Sequence, residues 1–207
     1  MDTPFDALAS AHVIAAHTYQ TQRWQNGRGR TQQILRVPDV EQWQLRLSIA
    51  QIEEDAPFST FAGVERELIL LHGEGLRLCF ADGRSQVLQP PHARVRFAGE
   101  AAVEAQLLDG PTTDFNVMWR RGALQVTTLH RPLVGNMVFF SEPHVAWAIY
   151  LLAGHAQFDG ATGLPGLSAG DTAWLPAGER QRYRLEGGGE LLAIRVEYPT
   201  TAADAQA

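Results

Sequence analysis

The chain has 207 residues, 45% of them hydrophobic, with a formal net charge of −6 and a pI of about 5.6. That is enough apolar material for one large or two small domains, and an acidic chain gains nothing from counterion release, so nucleic acid is not an expected partner. The lone Cys79 excludes an internal disulfide and any multi-cysteine metal site, and it reads as a small core residue. No apolar stretch approaches the roughly 20 residues of a membrane span, and the first residues lack the basic start and apolar run of a signal peptide. A cytoplasmic protein with no membrane partner is expected.

The 19 Gly and 11 Pro are spread along the chain, which suits many short strands joined by turns. Val13 to Tyr19 leads to a Gly-rich turn at Asn26-Gly27-Arg28-Gly29, and Thr31 to Val37 reads as a strand stopped by Pro38-Asp39. A period-two stretch follows, with Trp43, Leu45, Leu47 and Ile49 on one face and Gln44, Arg46, Ser48 and Ala50 on the other. Leu68 to Leu71 runs into the turn His72-Gly73-Glu74-Gly75, Leu76 to Phe80 returns, and Asp82-Gly83 marks a hairpin. Short strands are expected at Val87-Leu88, Val95 to Phe97 and Val103 to Leu108. Asp114 to Arg121 alternates again, with Phe115, Val117 and Trp119 opposing Asn116, Met118 and Arg120, before a strand at Leu124 to Leu129.

The second half repeats the scheme: Val145 to Leu152 ending at Ala153-Gly154, Ala156 to Phe158, a turn at Asp159-Gly160, Leu167-Ser168, Tyr183 to Leu185, a turn at Gly187-Gly188-Gly189, and Leu191 to Val196. Leu70-Leu71-His72-Gly73 matches Leu151-Leu152-Ala153-Gly154, Leu88 to Pro91 matches Leu167 to Pro176, and Val95-Arg96-Phe97 matches Tyr183-Arg184-Leu185. An internal repeat of this kind implies two similar β lobes. The expected division is an N-terminal lobe over residues 1–135, a C-terminal lobe over 136–200 and a frayed tail over 201–207.

Gly170-Asp171-Thr172-Ala173-Trp174-Leu175-Pro176-Ala177-Gly178 resembles the second cupin motif, a Gly-Asp turn, a strand and Pro-x-Gly. Metal-binding cupins place a His after it and a His-x-His pair in their first motif. Here the next residues are Glu179-Arg180-Gln181-Arg182, and His12, His17, His72, His92, His130, His144 and His155 are isolated. Neither metal nor other cofactor is expected.

The first half resembles the HutD/Ves family. Trp24-Gln25-Asn26-Gly27-Arg28-Gly29-Arg30-Thr31 matches its opening motif, and Arg46-Leu47-Ser48-Ile49-Ala50 its Arg-x-Ser-x-Ala strand. Pro57, Phe58, Ser59, Phe61, Gly63 and Arg66 match a third motif, and Gly110-Pro111, Asp114-Phe115-Asn116, Met118 and Arg120-Arg121 a fourth. The resemblance spans roughly residues 17–197 and implies an all-β bicupin, two cupin-like jelly-roll lobes in one chain, associated with histidine utilisation and without a firmly established enzymatic activity. Gln25, Arg28 and Gln33 depart from the family pattern, which has Lys, Gly and an acidic residue there, so a shifted ligand preference is expected.

Strand faces that mix Ser, Asn, Met and Arg resemble a ligand pocket more than a solvated surface. Trp24, Asn26, Arg46, Ser48, Ser59, Phe61, Arg66, Asn116, Met118 and Arg120 are the candidate binding residues. Arginine forks grip carboxylates and asparagine both donates and accepts, so a small anionic metabolite is the expected guest. The structural alternatives are Arg46 or Arg66 tied to Glu65, Glu67 or Asp114, Trp24 plugging the sandwich end, Asn26-Gly27 forming only a turn, and Phe58 and Phe61 in the core. No catalytic residue is assigned, and a metabolite-binding or regulatory role is preferred. One alternative is a cupin-type enzyme acting on a small carboxylate, with Glu65, Asp114 or His72 as acid or base. The other is an oligomerising scaffold, in which edge strands of both lobes pair in a homodimer.

Overall fold

The computed structural model describes residues 9–199, so the tail expected at 201–207 lies outside the described residues. In chain order its strands are β1 (His12–Ile14), β2 (Gln20–Arg23), β3 (Gly29–Val37), β4 (Leu45–Ile52), β5 (Ala56–Pro57), β6 (Val64–His72), β7 (Leu76–Phe80), β8 (Ser85–Leu88), β9 (Arg94–Ala98), β10 (Val103–Leu107), β11 (Thr112–Arg120), β12 (Gln125–Ser141), β13 (Val145–Phe158), β14 (Leu167–Ser168), β15 (Thr172–Leu175) and β16 (Gln181–Glu197). No helix of the described residues is long and apolar enough to cross a membrane.

Two compact units result. Gln20–Arg121 form the first, and the described residues up to Tyr19 together with those from Gly122 form the second. The boundary expected at 135/136 is corrected: it falls inside β12, whose 17 residues pair without interruption with β16. Pro132 does not end this strand because β12 lies at the edge of its sheet, where a missing N–H need not break the ladder.

In the first lobe a six-stranded antiparallel sheet, β2-β3-β4-β11-β6-β9, accompanies a four-stranded sheet, β5-β10-β7-β8. Leu68, Leu70, Leu76, Leu78, Leu88, Val103 and Ala105 share one apolar core. That core places Leu68 and Leu70 on the same face of the sheet as Asn116 and Asp114, which they oppose directly. The polar alternation positions therefore look into the lobe, while Leu45, Leu47, Phe115 and Val117 on the other face are fully buried as well. Cys79 does not join the core: it alternates with buried Leu78 and Phe80 and is half-buried.

The second lobe is built on one sheet, β1-β15-β13-β16-β12, with β14 on β13. Gly187-Gly188-Gly189 is not a turn. It lies mid-strand, with Gly188 opposite His155 on one side and Val134 on the other. Ala153-Gly154 likewise sits inside β13 rather than ending it. A Cβ at Gly154 would overlap the Gly188 carbonyl oxygen, and one at Gly189 the Ala153 carbonyl oxygen. The glycines let two strands cross closely as they bend, which is what glycine in a strand interior often marks.

The duplication is visible in the pairing. β13 slips register between Leu151 and Ala153, leaving Leu152 extra, and β6 slips in the same way, leaving Leu71 between Leu70 and His72. Such bulges bend a strand, and they fall at the matched Leu-Leu-x-Gly segments. The third expected match is corrected. β9 pairs with β6 as β15 pairs with β13, so Val95 and Phe97 correspond to Ala173 and Leu175 and not to Tyr183 and Leu185. The Gly-Asp motif of the second lobe does form a turn. Asp171 accepts from Ser168 N–H and Ala16 N–H, both at 2.8 Å, and β15 follows at once.

Candidate functional site

The hairpin β2–β3, the inner faces of β4, β6 and β11, and β5 with the segment after it line a cavity of about 610 Å³, open to solvent, in the first lobe. The turn of that hairpin is closed by Gly27 N–H to Trp24 O at 3.0 Å and by Asn26 Oδ1 accepting from Arg28 N–H at 3.0 Å. Trp24 is held by its Nε1–H donating to Thr31 Oγ1 at 2.8 Å. Trp24 thus keeps a ring on the wall while its N–H serves the fold, and Asn26 keeps its amide N–H groups while its oxygen serves the turn.

Nine of the ten candidate residues line this cavity: Trp24, Asn26, Arg46, Ser48, Ser59, Phe61, Arg66, Asn116 and Met118. Arg120 does not. It shares the strand face, but its Nη1 donates to Ala62 O at 2.8 Å and its guanidinium lies 5.6 Å from the centre of the Trp43 ring. Gln22, Arg23, Gln25, Thr31, Ala50, Pro57 and Phe58 complete the lining. Ala50 follows from its alternation with Arg46 and Ser48, and Thr31 from pairing with Ala50; the hairpin residues needed the register of β2. Of the departures from the family pattern, Gln25 reaches the cavity. Arg28 is not among the lining residues and donates to Asp55 O at 2.7 Å.

Three arginines and no carboxylate line the cavity. Arg66 is buried, stacked 4.3 Å from the Phe58 ring centre and 5.4 Å from that of Phe97, and its Nε donates to Asn116 Oδ1 at 2.8 Å. With Oδ1 engaged, the Asn116 amide has its N–H donors left over. Burial pulls the Arg66 pKa down to about 10, with Asp114 opposing and Arg46 adding to the fall. Arg46 is lowered too, by burial first and Arg36 second, and its buried Nε has no hydrogen-bond partner.

The acids that could have tied these arginines do so only in part. Glu65 lies 3.7 Å from Arg121, and Glu67 lies 3.8 Å from Arg94 and 3.6 Å from Arg96. Asp114 alone among them acts on Arg66, through its field. Of the acid–base candidates, His72 is exposed and Glu65 pairs outward, while Asp114 is fully buried on the inner face beside Asn116 with neither oxygen hydrogen-bonded. Burial raises its pKa from 3.8 to about 7, with Arg66 opposing.

The buried carboxyl of Asp114 makes the stability of the chain depend on pH. Folding favours its protonated form, so its contribution is fully present below pH 3.8 and is lost as pH rises through about 7. The loss is on the order of 4 kcal/mol at about 1.4 kcal/mol per pH unit. Urea midpoints at pH 5 and pH 8 should fall less in Asp114→Asn than in the unaltered chain; equal falls would show that the carboxyl titrates normally.

The second lobe supplies an internal comparison. By strand pairing, Asp114, Asn116, Ser48 and Arg66 correspond to Leu191, Ala193, Leu129 and Trp147. All four of those side chains belong to or pack against the apolar core of that lobe. The fold itself therefore does not need polar groups at these positions.

Comparison with known proteins agrees with this architecture. The family model described as HutD matches residues 16–193. An uncharacterised 21.2 kDa protein of the hutC 3′ region of Pseudomonas putida is 37% identical over 114 residues, 54% of this chain and 60% of that protein, so the match spans under two-thirds of the relative. Protein Ves of Cronobacter sakazakii is 28% identical over 176 residues, 84% of this chain and 92% of that protein. Among solved structures, HutD from Pseudomonas fluorescens SBW25, determined in a formate condition, superposes with a TM-score of 0.78 at 25% identity, covering 92% of this chain and 100% of that one. The oxalate decarboxylase formate complex of Lactobacillus farciminis gives 0.64 at 10% identity, covering 92% and 86%, a likeness of fold alone.

Proposed function

The chain belongs to the HutD family, and from that premise we propose that it is a non-enzymatic protein that binds a small anionic metabolite of histidine utilisation in its first lobe and acts as a binding or regulatory component. The family link to histidine utilisation rests on the matching model and on the relative encoded beside hutC. The ligand class rests on one observation. Arg46 and Arg66 are desolvated in a cavity with no lining carboxylate, at positions of which one is filled by Trp147 in the second lobe. Desolvated guanidinium groups have lost water and, at Arg46 Nε, have found no replacement, so a carboxylate that supplies acceptors recovers that loss.

Each charged hydrogen bond contributes about 1.5–3 kcal/mol, so two arginines and an asparagine support dissociation constants from roughly millimolar to micromolar. Formate belongs in the test set because the Pseudomonas fluorescens HutD structure was determined in a formate condition. Titration calorimetry against formate and a panel of small mono- and dicarboxylates should give saturable binding by at least one of them. No heat from any member at millimolar concentration rejects the reading.

A further inference from the structure

We infer that the first-lobe cavity takes up an anion and a proton together, the proton being held on the carboxyl group of Asp114 directly behind the anion site. This rests on the anion-binding reading of that cavity.

Asp114 differs from the other acids held within the two lobes. Asp171, the acid of the second lobe's motif turn, accepts two backbone N–H groups. Glu67, also buried, sits between Arg94 and Arg96. Asp114 has no exposure, and neither of its oxygens accepts a hydrogen bond. It is neither a cap nor half of a close ion pair. Its counterpart by pairing, Leu191, shows that the bend in the sheet does not require an acid there. An ionised carboxylate in such a place needs a nearby cation or a proton.

The charged neighbours are few. β6 contributes Arg66, the one group whose charge bears on Asp114 directly. β4 contributes Arg46 on the same face, two positions beyond Ser48, with Ala50 opposite Asp114 itself. The inner positions of β3 are Gly29, Thr31, Gln33 and, past its bulge, Arg36, which lies beside Arg46 and pairs with Asp39; β2 ends in Arg23 on the cavity wall, and the inner positions of β9 are Val95 and Phe97. On β11 the flanking residues of that face, Thr112 and Asn116, are neutral. From the four-stranded sheet, Leu76, Leu78, Val103 and Ala105 pack into the core. His72, across from Thr113, is exposed.

In the empty cavity, Arg66 is therefore the cation that allows Asp114 to ionise. An incoming carboxylate takes that role over by engaging the same guanidinium. Two anions then share one buried cation, and the one without hydrogen bonds is relieved at least cost by protonation. The balance is simple: one proton from solvent converts the Asp114 carboxylate to the acid, and the guest stays ionised.

Formate and lactate, both ionised throughout, should be titrated into the full chain between pH 6 and 9, in pairs of buffers with different ionisation enthalpies. Above pH 7 the expected result is uptake approaching one proton per bound anion, with the dissociation constant weakening by up to about tenfold per pH unit. In Asp114→Asn both the proton uptake and the pH slope should vanish. Binding with a pH-independent constant and no proton uptake overturns this inference and leaves the anion site standing. A slope that survives in Asp114→Asn overturns it as well. Absence of binding at every pH by these two anions and by every other member of the carboxylate panel overturns both readings.

Discussion

Gly187→Ala and Gly189→Ala should each strongly destabilise the second lobe, whereas Gly188→Ala, in the middle of the same tripeptide, should leave it intact. The three glycines differ in what a methyl group would meet. At Gly187 it would overlap the His155 carbonyl oxygen, and at Gly189 the Ala153 carbonyl oxygen; at Gly188 nothing lies within 4 Å. Gly189 also has φ of +137°, a region that only glycine occupies readily. The obstacles are backbone atoms of a paired strand, so relief means separating β13 from β16 along their bend. A cost above about 4 kcal/mol is expected at each blocked position, a large share of the 5–15 kcal/mol available to a typical domain. For a chain of this size that is a fall in Tm of roughly 10 °C or more. Gly188→Ala should shift Tm by only a degree or two. Equal tolerance at all three positions would mean that the strands do not cross closely there.

These glycines also mark the limit of local reading. Three in a row predict a turn from chemistry alone, because nothing in the segment reports that Gly188 has a pairing partner on each side, His155 and Val134. The same gap explains the misplaced lobe boundary. Leu129 ends an obvious apolar alternation, but β12 continues through Pro132 because an edge strand tolerates it. Where the signal is periodic it carries far. The alternation over 43–50 and 114–121 marks the two central strands, observed at 45–52 and 112–120, and assigns Arg46, Ser48, Asn116 and Met118 to one kind of face. It reports the face and not the depth along the strand, so it groups Arg120 with them although that side chain lies against Trp43. Asp114 shares the same alternation, which marks it only as a candidate acid. Its isolation from hydrogen bonds becomes visible only when Leu70 and Ala50 are seen opposite it.

Arg66→Met should weaken anion binding by at least about 100-fold while the lobe stays folded. The substitution removes the cation that the site is built around, along with the donor that fixes the Asn116 amide. Methionine is flexible enough to occupy the space between Phe58 and Phe97 that the guanidinium now fills. Loss of the two charged hydrogen bonds of an arginine fork, at about 1.5–3 kcal/mol each, sets the scale of the effect. Stability should change much less, because a desolvated cation is itself expensive to bury. Arg66→Lys should fall between, since it restores charge without the planar fork or the stacking. Arg120→Met serves as the comparison: the same strand face, the same loss of charge, but no contact with the cavity. Its binding should stay within about twofold. If Arg66→Met and Arg120→Met weakened a carboxylate equally, the effect would be one of general charge, and the cavity would lose its claim to be the site. If only Arg66→Met does so, the charge must act at short range, and Asn116 and Trp24 on the same wall are then left to choose among the anions that Arg66 and Arg46 admit.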